Sequence, residues 1–342
     1  MMARMMKSSL LPLLITVGVF IAGSVACSLQ FPHFASTRVF ANLLTDNAFL
    51  GIVAVGMTFV IISGGIDLSV GSVIAFTCVC LALAIQRYHV SPWLAFPAIL
   101  VITAGFGAGM GALIHYFRIP PFITTLAGMF LLRGTCFVLT TDSIPINIPL
   151  YQNIDNYAVH LPGHGTLSVI AMIMLVVTGL GMLLAHRTRF GANVYALGGN
   201  RVAAEMMGVP IARTTILIYT LSSGLAGVAG IVFSFYTSAG SSLAANGVEL
   251  DTIAAVVIGG TLLSGGQGYV IGTFVGVLIQ GLIQTYITFD GTLSSWWTKI
   301  AVGILLFSFI ALQRGLAMLS ERAPASTAAE ARPGDRLPAG SH

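Results

Sequence analysis

Ten apolar runs constrain the fold of this chain more than any other feature of its sequence. They cover residues 10–29, 47–63, 69–86, 92–116, 121–140, 166–185, 213–237, 250–264, 268–289 and 295–314. A helix of about 20 apolar residues crosses the hydrocarbon core of a bilayer. Only 8% of the residues are charged, against about 25% in soluble domains. The sequence therefore predicts an all-α polytopic membrane protein with about ten transmembrane helices, and it argues against a soluble or disordered chain.

Two glycine-rich segments, near residues 64–71 and 259–268, interrupt this pattern. Short or glycine-interrupted spans are typical of broken or re-entrant membrane helices. The octapeptides GGIDLSVG (64–71) and GGTLLSGG (259–266) align with each other, which favours an internal repeat, either parallel or inverted. Paired broken segments in two halves of a chain point to a transport site.

Basic residues indicate the orientation in the membrane. With the N-terminus inside, the inner segments hold Arg4, Lys7, Arg118, Arg187, Arg189, Arg201, Arg213, Arg314, Arg322, Arg332 and Arg336. The outer segments then hold only Arg38 and Arg87. This positive-inside bias predicts that both termini are cytoplasmic. We expect a transmembrane domain over residues 1–320 and a disordered cytoplasmic tail over 321–342, which is rich in Ala and Pro.

The inner connection 187–212 is predicted to contain a short helix. Asn200 is a good N-cap, residues 202–207 can be helical, and Gly208 suits a C-cap before Pro210. Such a helix either lies on the lipid surface or docks into the groove of a cytoplasmic partner. The candidate docking residues are Asn200, Arg201, Ala204, Glu205, Met206, Met207 and Gly208.

Several motifs resemble those of the ribose-type sugar permeases of bacterial ABC importers. They are ISGGIDLSVGSVIAFT (62–77), IPPFITTLAGMFLLRG (119–134), RTRFGANVYALGGNRVAAEMMGV (187–209) and GGTLLSGGQGYVIGT (259–273). The stretches INIP (146–149) and TFDGTLSSWWTKI (288–300) are similar to the branch formed by the permease subunits of galactofuranose importers. The resemblance extends over about residues 10–318.

This resemblance implies a permease subunit in the bacterial inner membrane that forms half of a sugar path. Galactofuranose is the expected substrate, with ribose or another monosaccharide as the alternative. The implied partners are a second homologous permease (expected as a heterodimer), two ATP-binding subunits or one fused tandem ATPase, and a periplasmic sugar-binding protein. The resemblance also places 187–209 in the region that couples to the ATPase, which favours the docking interpretation.

The chain is not expected to be an enzyme or to hold a cofactor. Its lysines, Lys7 and Lys299, follow Met6 and Thr298, so no GxxxxGK[ST] phosphate loop exists. ATP and Mg²⁺ are therefore expected in the partner ATPase. Nothing in the sequence indicates a nucleic-acid partner.

Polar residues near the apolar runs are the candidates for the translocation path, because a hydroxyl-rich substrate needs paired donors and acceptors. They are Asn42 (at the outer mouth), Asn47, Asp67, Ser69, Ser264, Gln280 and Gln284. For the two glutamines, hydrogen bonding between helices is the alternative. Asp67 either caps the helix that follows the first break or lies in the pathway.

Charges inside the runs are few. We expect Arg133 to pair structurally with a carboxylate or with backbone carbonyls, and Lys299 to extend towards the outer surface. An ion-coupled secondary transporter remains a more distant alternative, although such proteins normally use intramembrane carboxylates that are scarce here. A passive channel is a further alternative.

Overall fold

The computed structural model describes residues 11–163 and 165–322, and most of this part is helical. The helices are α1 (Leu11–Gln30), α2 (Thr37–Asp46), α3 (Ala48–Ile62), α4 (Val70–Ala82), α5 (Pro92–Tyr116), α6 (Pro121–Leu139), α7 (Pro149–Gln152), α8 (Val169–Arg187), α9 (Arg189–Gly199), α10 (Arg201–Met206), α11 (Ile211–Thr237), α12 (Val248–Ile258), α13 (Val270–Asp290) and α14 (Trp296–Arg322). A π-helical turn, Leu83–Arg87, extends α4, and a 3-10 turn covers Ile154–Tyr157.

Short strands occur only in the connections of the described part. Strand β1 (Ile144–Pro145) pairs antiparallel with β4 (Ala239–Gly240), and β2 (Val159–Leu161) pairs antiparallel with β3 (Gly165–Leu167). The predicted domain boundary at residue 320 lies inside α14. Residues 323–342 of the predicted tail lie outside the described residues, as do Arg4 and Lys7.

The prediction of an all-α polytopic membrane protein is confirmed. Eight described helices are long and apolar enough to cross a membrane, and α2 with α3, bent by 57°, forms a ninth candidate span. Each of the ten predicted runs contains a helix. The prediction that the eighth run crosses the whole membrane is wrong, because its helix is too short. Helix α12 has 11 residues, which is about 16 Å of helix, because the Gly259-Gly260 pair ends it.

The two predicted glycine breaks are present and have the same local geometry. Helix α3 ends at Ile62 and α12 ends at Ile258. Gly64 has φ of 82° and Gly260 has φ of 90°, a left-handed conformation that glycine adopts without a Cβ penalty. Their amides each donate to the carbonyl three residues earlier, at 2.9 Å. Gly64 therefore corresponds to Gly260 and not to Gly259, so the alignment made from the sequence is shifted by one residue.

The two breaks meet each other and helix α9. The Gly266 amide donates to the Ile62 carbonyl at 2.8 Å, and the Tyr195 hydroxyl of α9 donates to the Gly268 carbonyl at 2.7 Å. Gly198, also on α9, lies so close that a Cβ atom there would overlap the Ile62 carbonyl oxygen. The segment that was predicted to be a cytoplasmic connection thus packs directly on both breaks.

Helix α3 lies at the centre of the bundle. All of its residues except Phe49 are buried, as expected of a helix that is apolar on every side. Helix α11 packs along α5, α3 and α4. By contrast, only 11% of the residues in the most apolar 18-residue stretch of α1 are buried, and the same holds for α14. The corresponding share in α13 is 61%. Helices α1 and α14 therefore lie at the periphery, where apolar side chains can face lipid.

The close contact at Gly198 gives the first prediction. Gly198→Ala should destabilise the fold by about 1–3 kcal/mol, because the added methyl group overpacks a site bounded by backbone atoms. Thermal unfolding of the protein in detergent measures the loss. Gly199→Ala is the matched control, since a Cβ there meets nothing within 4 Å. Equal thermal unfolding midpoints for the two variants would contradict the close contact between Gly198 and the Ile62 carbonyl.

Candidate functional site

A polar cleft lies at the C-terminal end of α11, whereas α10 precedes the N-terminal end of the same helix. The 27 residues of α11 span about 40 Å, so the cleft and α10 are on opposite sides of the bundle. The cleft has a volume of about 480 Å³, within the range of about 300–1,000 Å³ that is usual for ligand sites. Its polar lining comprises Asp46, Asn47, Tyr236, Asp251, Gln280, Gln284, Thr288, Ser295, Trp296, Thr298 and Lys299.

The bend between α2 and α3 supplies the first side of the cleft. Asp46 is the last residue of α2, and Asn47 joins it to α3. The Tyr236 hydroxyl of α11 donates to Asp46 Oδ1 at 3.3 Å. Asn47 Nδ2 donates to the Leu43 carbonyl at 2.9 Å. These contacts hold one carboxylate and one amide at the cleft wall.

Helices α12, α13 and α14 supply the other side. Lys299 Nζ lies 2.5 Å from Asp251 Oδ2 and 2.7 Å from Oδ1. Gln280 Nε2 donates to the Asp251 carbonyl at 2.9 Å. Lys299 is exposed, as predicted, and its ammonium group also pairs with a carboxylate in the first turn of α12. Such a half-exposed pair joins α12 to α14 but stabilises the fold by only about 0–1 kcal/mol.

A second cavity of about 180 Å³ adjoins the cleft. It shares Asp46, Asn47, Gln284 and Thr288 with the cleft, and Asn42 is part of its lining. Four of the predicted path candidates, Asn42, Asn47, Gln280 and Gln284, are thus brought to one place. Gln280 also forms a hydrogen bond between helices, the alternative role stated for it from the sequence, since its side chain bonds α13 to α12.

The remaining path candidates lie elsewhere. Asp67 and Ser69 are fully buried at the first break. Asp67 Oδ1 accepts from the Ser69 amide at 2.9 Å and from its hydroxyl at 2.6 Å, and Asp67 Oδ2 accepts from Ser222 of α11 at 2.8 Å. Asp67 thus bonds the residue that precedes α4 and no amide inside that helix, which is a local turn and not the predicted N-cap. Neither side chain lines the cleft. Ser264 is exposed on the second break.

Arg133 lies on α6 and binds backbone oxygens. Its Nη1 donates to the carbonyls of Ser242 and Ala244, at 2.7 and 2.8 Å. Both acceptors belong to the connection between α11 and α12. These contacts are of the kind that a structural role requires, and Arg133 is not part of the cleft lining.

The α10 surface is the second candidate site. Asn200 Oδ1 accepts from the Ala203 amide at 3.0 Å, and Gly208 has φ of 80° after the helix, so both ends are capped as expected from the sequence. Met206 is 85% exposed and Met207 is 71% exposed. Arg201 and Glu205 are also exposed.

Two expectations about this region are corrected by the structure. Ala204 is fully buried, so it packs α10 onto the bundle and does not face a partner. The connection also contains a longer helix, α9, which the sequence analysis missed. Its signal was present: Thr188 accepts from the Gly191 amide as an N-cap, and apolar residues follow at helical spacing.

Sequence reasoning also missed most of the polar lining of the cleft. Asp46, Tyr236, Asp251 and Trp296 come from four different helices or helix ends, and no local motif joins them. The available signal was that each lies at the end of an apolar run on the same side of the membrane.

Within residues 11–163 and 165–322, no group of three or more His, Cys, Asp or Glu side chains is placed to hold a metal ion.

Comparison with known proteins identifies the family. A family model described as "Branched-chain amino acid transport system / permease component" matches residues 39–310. The chain belongs to this family of permease components. The resemblance to ribose-type permeases stated from the motifs is therefore confirmed.

Three relatives illustrate the family. The inner membrane ABC transporter permease protein YjfF of Escherichia coli K12 is 64% identical over 316 residues, which cover 92% of this chain and 96% of the relative. The fructose import permease protein FruG of Bifidobacterium longum is 36% identical and covers 90% of this chain and 92% of its own length. The ribose import permease protein RbsC of E. coli K12 is 35% identical, and the match covers 88% of this chain and 91% of the relative. No solved structure matches this chain.

The buried Asp67 cluster in this permease gives the second prediction. Asp67→Ala should lower the free energy of unfolding by about 1–3 kcal/mol, because it leaves the Ser69 and Ser222 donors without their acceptor. Asp67→Asn retains the shape and one acceptor, so its loss should be smaller. Chemical denaturation in mixed micelles measures both. A loss for Asp67→Asn as large as for Asp67→Ala would instead mean that the negative charge itself is required.

Proposed function

We propose that this chain is the permease subunit of an ABC importer for a sugar and forms half of the transmembrane path. Galactofuranose is the proposed substrate, on the strength of the motif resemblance over 146–149 and 288–300. The relatives named for ribose and fructose import support a small sugar as the cargo class. Ribose or another monosaccharide is the alternative.

The observation that carries this proposal is the pair of exposed methionines, Met206 and Met207, at the C-terminal end of α10. Two large apolar side chains next to each other, flanked by Arg201 and Glu205, are unfavourable in water and suit an apolar groove on a partner. The chain has no phosphate loop of its own. A partner ATPase that binds ATP and Mg²⁺ would therefore dock on α10 and supply the energy.

Movement of α10 would reach both the breaks and the cleft. Only the Gly208-containing turn separates α10 from α11, and α11 holds Asp67 through Ser222 and Asp46 through Tyr236. Helix α9, which precedes α10, holds the second break through Tyr195. Nucleotide binding shifts the population between outward-facing and inward-facing states only if it favours one of them.

The proposed assembly has further members. A second homologous permease, in a heterodimer, would complete the path, and a periplasmic binding protein would deliver the sugar to the cleft side. Two ATP-binding subunits or one fused tandem ATPase would lie on the α10 side. The chain would lie in the inner membrane with both termini in the cytoplasm, in agreement with the distribution of its arginines.

The third prediction tests the function directly. Sugar uptake is measured in vesicles that contain this chain, the second permease, the ATPase and the binding protein, and each component is omitted in turn. ATP-dependent uptake should be lost on every omission, and galactofuranose, ribose and fructose can then be ranked. Uptake by this chain alone with an imposed ion gradient and no ATP would instead identify an ion-coupled transporter.

The fourth prediction concerns coupling at α10. Met207→Glu should reduce ATP-driven uptake about tenfold or more, because a charge in an apolar docking groove costs at least 2 kcal/mol. Met207→Leu keeps the apolar volume and should stay within about twofold of the parent chain. Uptake and ATP hydrolysis are measured in the same vesicles, and the amount of assembled complex is checked by co-purification. Normal uptake and assembly with Met207→Glu would rule out docking through this side chain.

A further inference from the structure

We infer that the polar cleft is a recognition site for an uncharged polyol, and that Asp46 and Gln284 bind the hydroxyl groups of the cargo. This inference rests on the proposed function and assigns the cargo contacts within this chain. It includes two residues, Asp46 and Trp296, that the sequence analysis did not identify.

The hydrogen-bonding groups of the cleft are only partly engaged. Tyr236 bonds Asp46 through Oδ1, and among the described residues no donor engages Oδ2. The Gln284 side chain is exposed and lines both cavities. A carboxylate oxygen accepts from a hydroxyl, and an amide both donates and accepts. Together they can bind two hydroxyl groups, each of which is itself a donor and an acceptor.

The charge of the cleft selects against anions. Lys299 is neutralised by Asp251 at 2.5 Å, while Asp46 has no cationic partner among the described residues. The lining therefore carries one net negative charge. A phosphate or carboxylate on the cargo would be repelled by Asp46, whereas neutral hydroxyl groups would form charge-assisted hydrogen bonds with it.

An aromatic surface completes the site. Trp296 is 74% exposed and begins α14 at the edge of the cleft. An indole ring offers a large, rigid apolar face together with one N–H donor. The C–H face of a sugar ring can pack on it while the hydroxyl edge points to Asp46 and Gln284. The combined cavities, about 480 and 180 Å³, can accommodate a monosaccharide.

Direct binding to the full chain is the first part of the fifth prediction. In a Trp93→Phe, Trp297→Phe background, Trp296 is the remaining tryptophan, and its fluorescence reports on the cleft. Titration with D-galactose or D-ribose should give a saturable change, and ribose 5-phosphate should bind at least about tenfold more weakly. Asp46→Asn should weaken sugar binding about tenfold, the effect of losing a charge-assisted hydrogen bond, and Gln284→Leu about threefold.

The matched control is Asp142→Asn. Asp142 is an exposed carboxylate in the connection after α6 and does not line the cleft, so this variant should bind sugar as the parent chain does. No saturable change with either sugar, or equal affinities for the parent and Asp46→Asn, would overturn the inference. This measurement needs no ATPase, so its failure is distinct from loss of ATP-dependent uptake by the complete importer.

Measuring sugar uptake by the assembled importer distinguishes contact between Asp46 and the cargo from a purely structural role of Asp46. With the binding protein saturated by sugar, Asp46→Asn should slow uptake about tenfold, while ATP hydrolysis stimulated by the binding protein stays within about twofold. A parallel loss of uptake and hydrolysis would mean that Asp46 only fixes the bend between α2 and α3, and it would overturn the assignment. Unchanged uptake would overturn it as well.

Discussion

The hydrogen bond from the Gly266 amide to the Ile62 carbonyl is the contact on which the architecture depends. A helix that ends within a bilayer leaves carbonyl groups that lipid cannot satisfy, so another part of the protein must satisfy them. Here the second break bonds the end of α3, and α9 covers that junction. At the end of α12, the Ile258 carbonyl accepts from the Thr16 hydroxyl of α1 at 2.6 Å. The first break therefore depends on the second, which supplies the donor for the Ile62 carbonyl, whereas the second break depends on α1.

Helix α11 joins the two candidate sites. Its N-terminal end follows α10, its middle holds the Asp67 cluster through Ser222, and its C-terminal end contributes Tyr236 to the cleft. Glycines of α5 let the two backbones approach closely, because Gly107 and Gly111 face α11 without side chains. Such close packing favours discrete arrangements of the two helices over continuous deformation.

Much of this organisation could be predicted from the sequence, and what failed has physical reasons. Apolar runs located a helix at each expected place, and Asn200 and Gly208 indicated both ends of α10, because these signals are local. The length of α12 could not be read from its apolar run, since Leu262 and Leu263 extend the run beyond the glycine pair that ends the helix. The partnership of Lys299 with Asp251, and of Asp46 with Tyr236, depends on tertiary packing that no local pattern encodes.

The contacts of Arg133 have a consequence for biosynthesis. Its acceptor carbonyl at Ser242 lies 109 residues further along the chain, so α6 is made well before the connection that satisfies its guanidinium group. At synthesis rates of about 5–20 residues per second, the delay is roughly 5–20 s. During this interval the charge needs a polar surrounding outside the finished fold, such as the insertion machinery or the water at the membrane surface. Helix α6 therefore reaches its final place only when α11 and the start of α12 arrive, and the first half of the protein cannot complete its packing on its own.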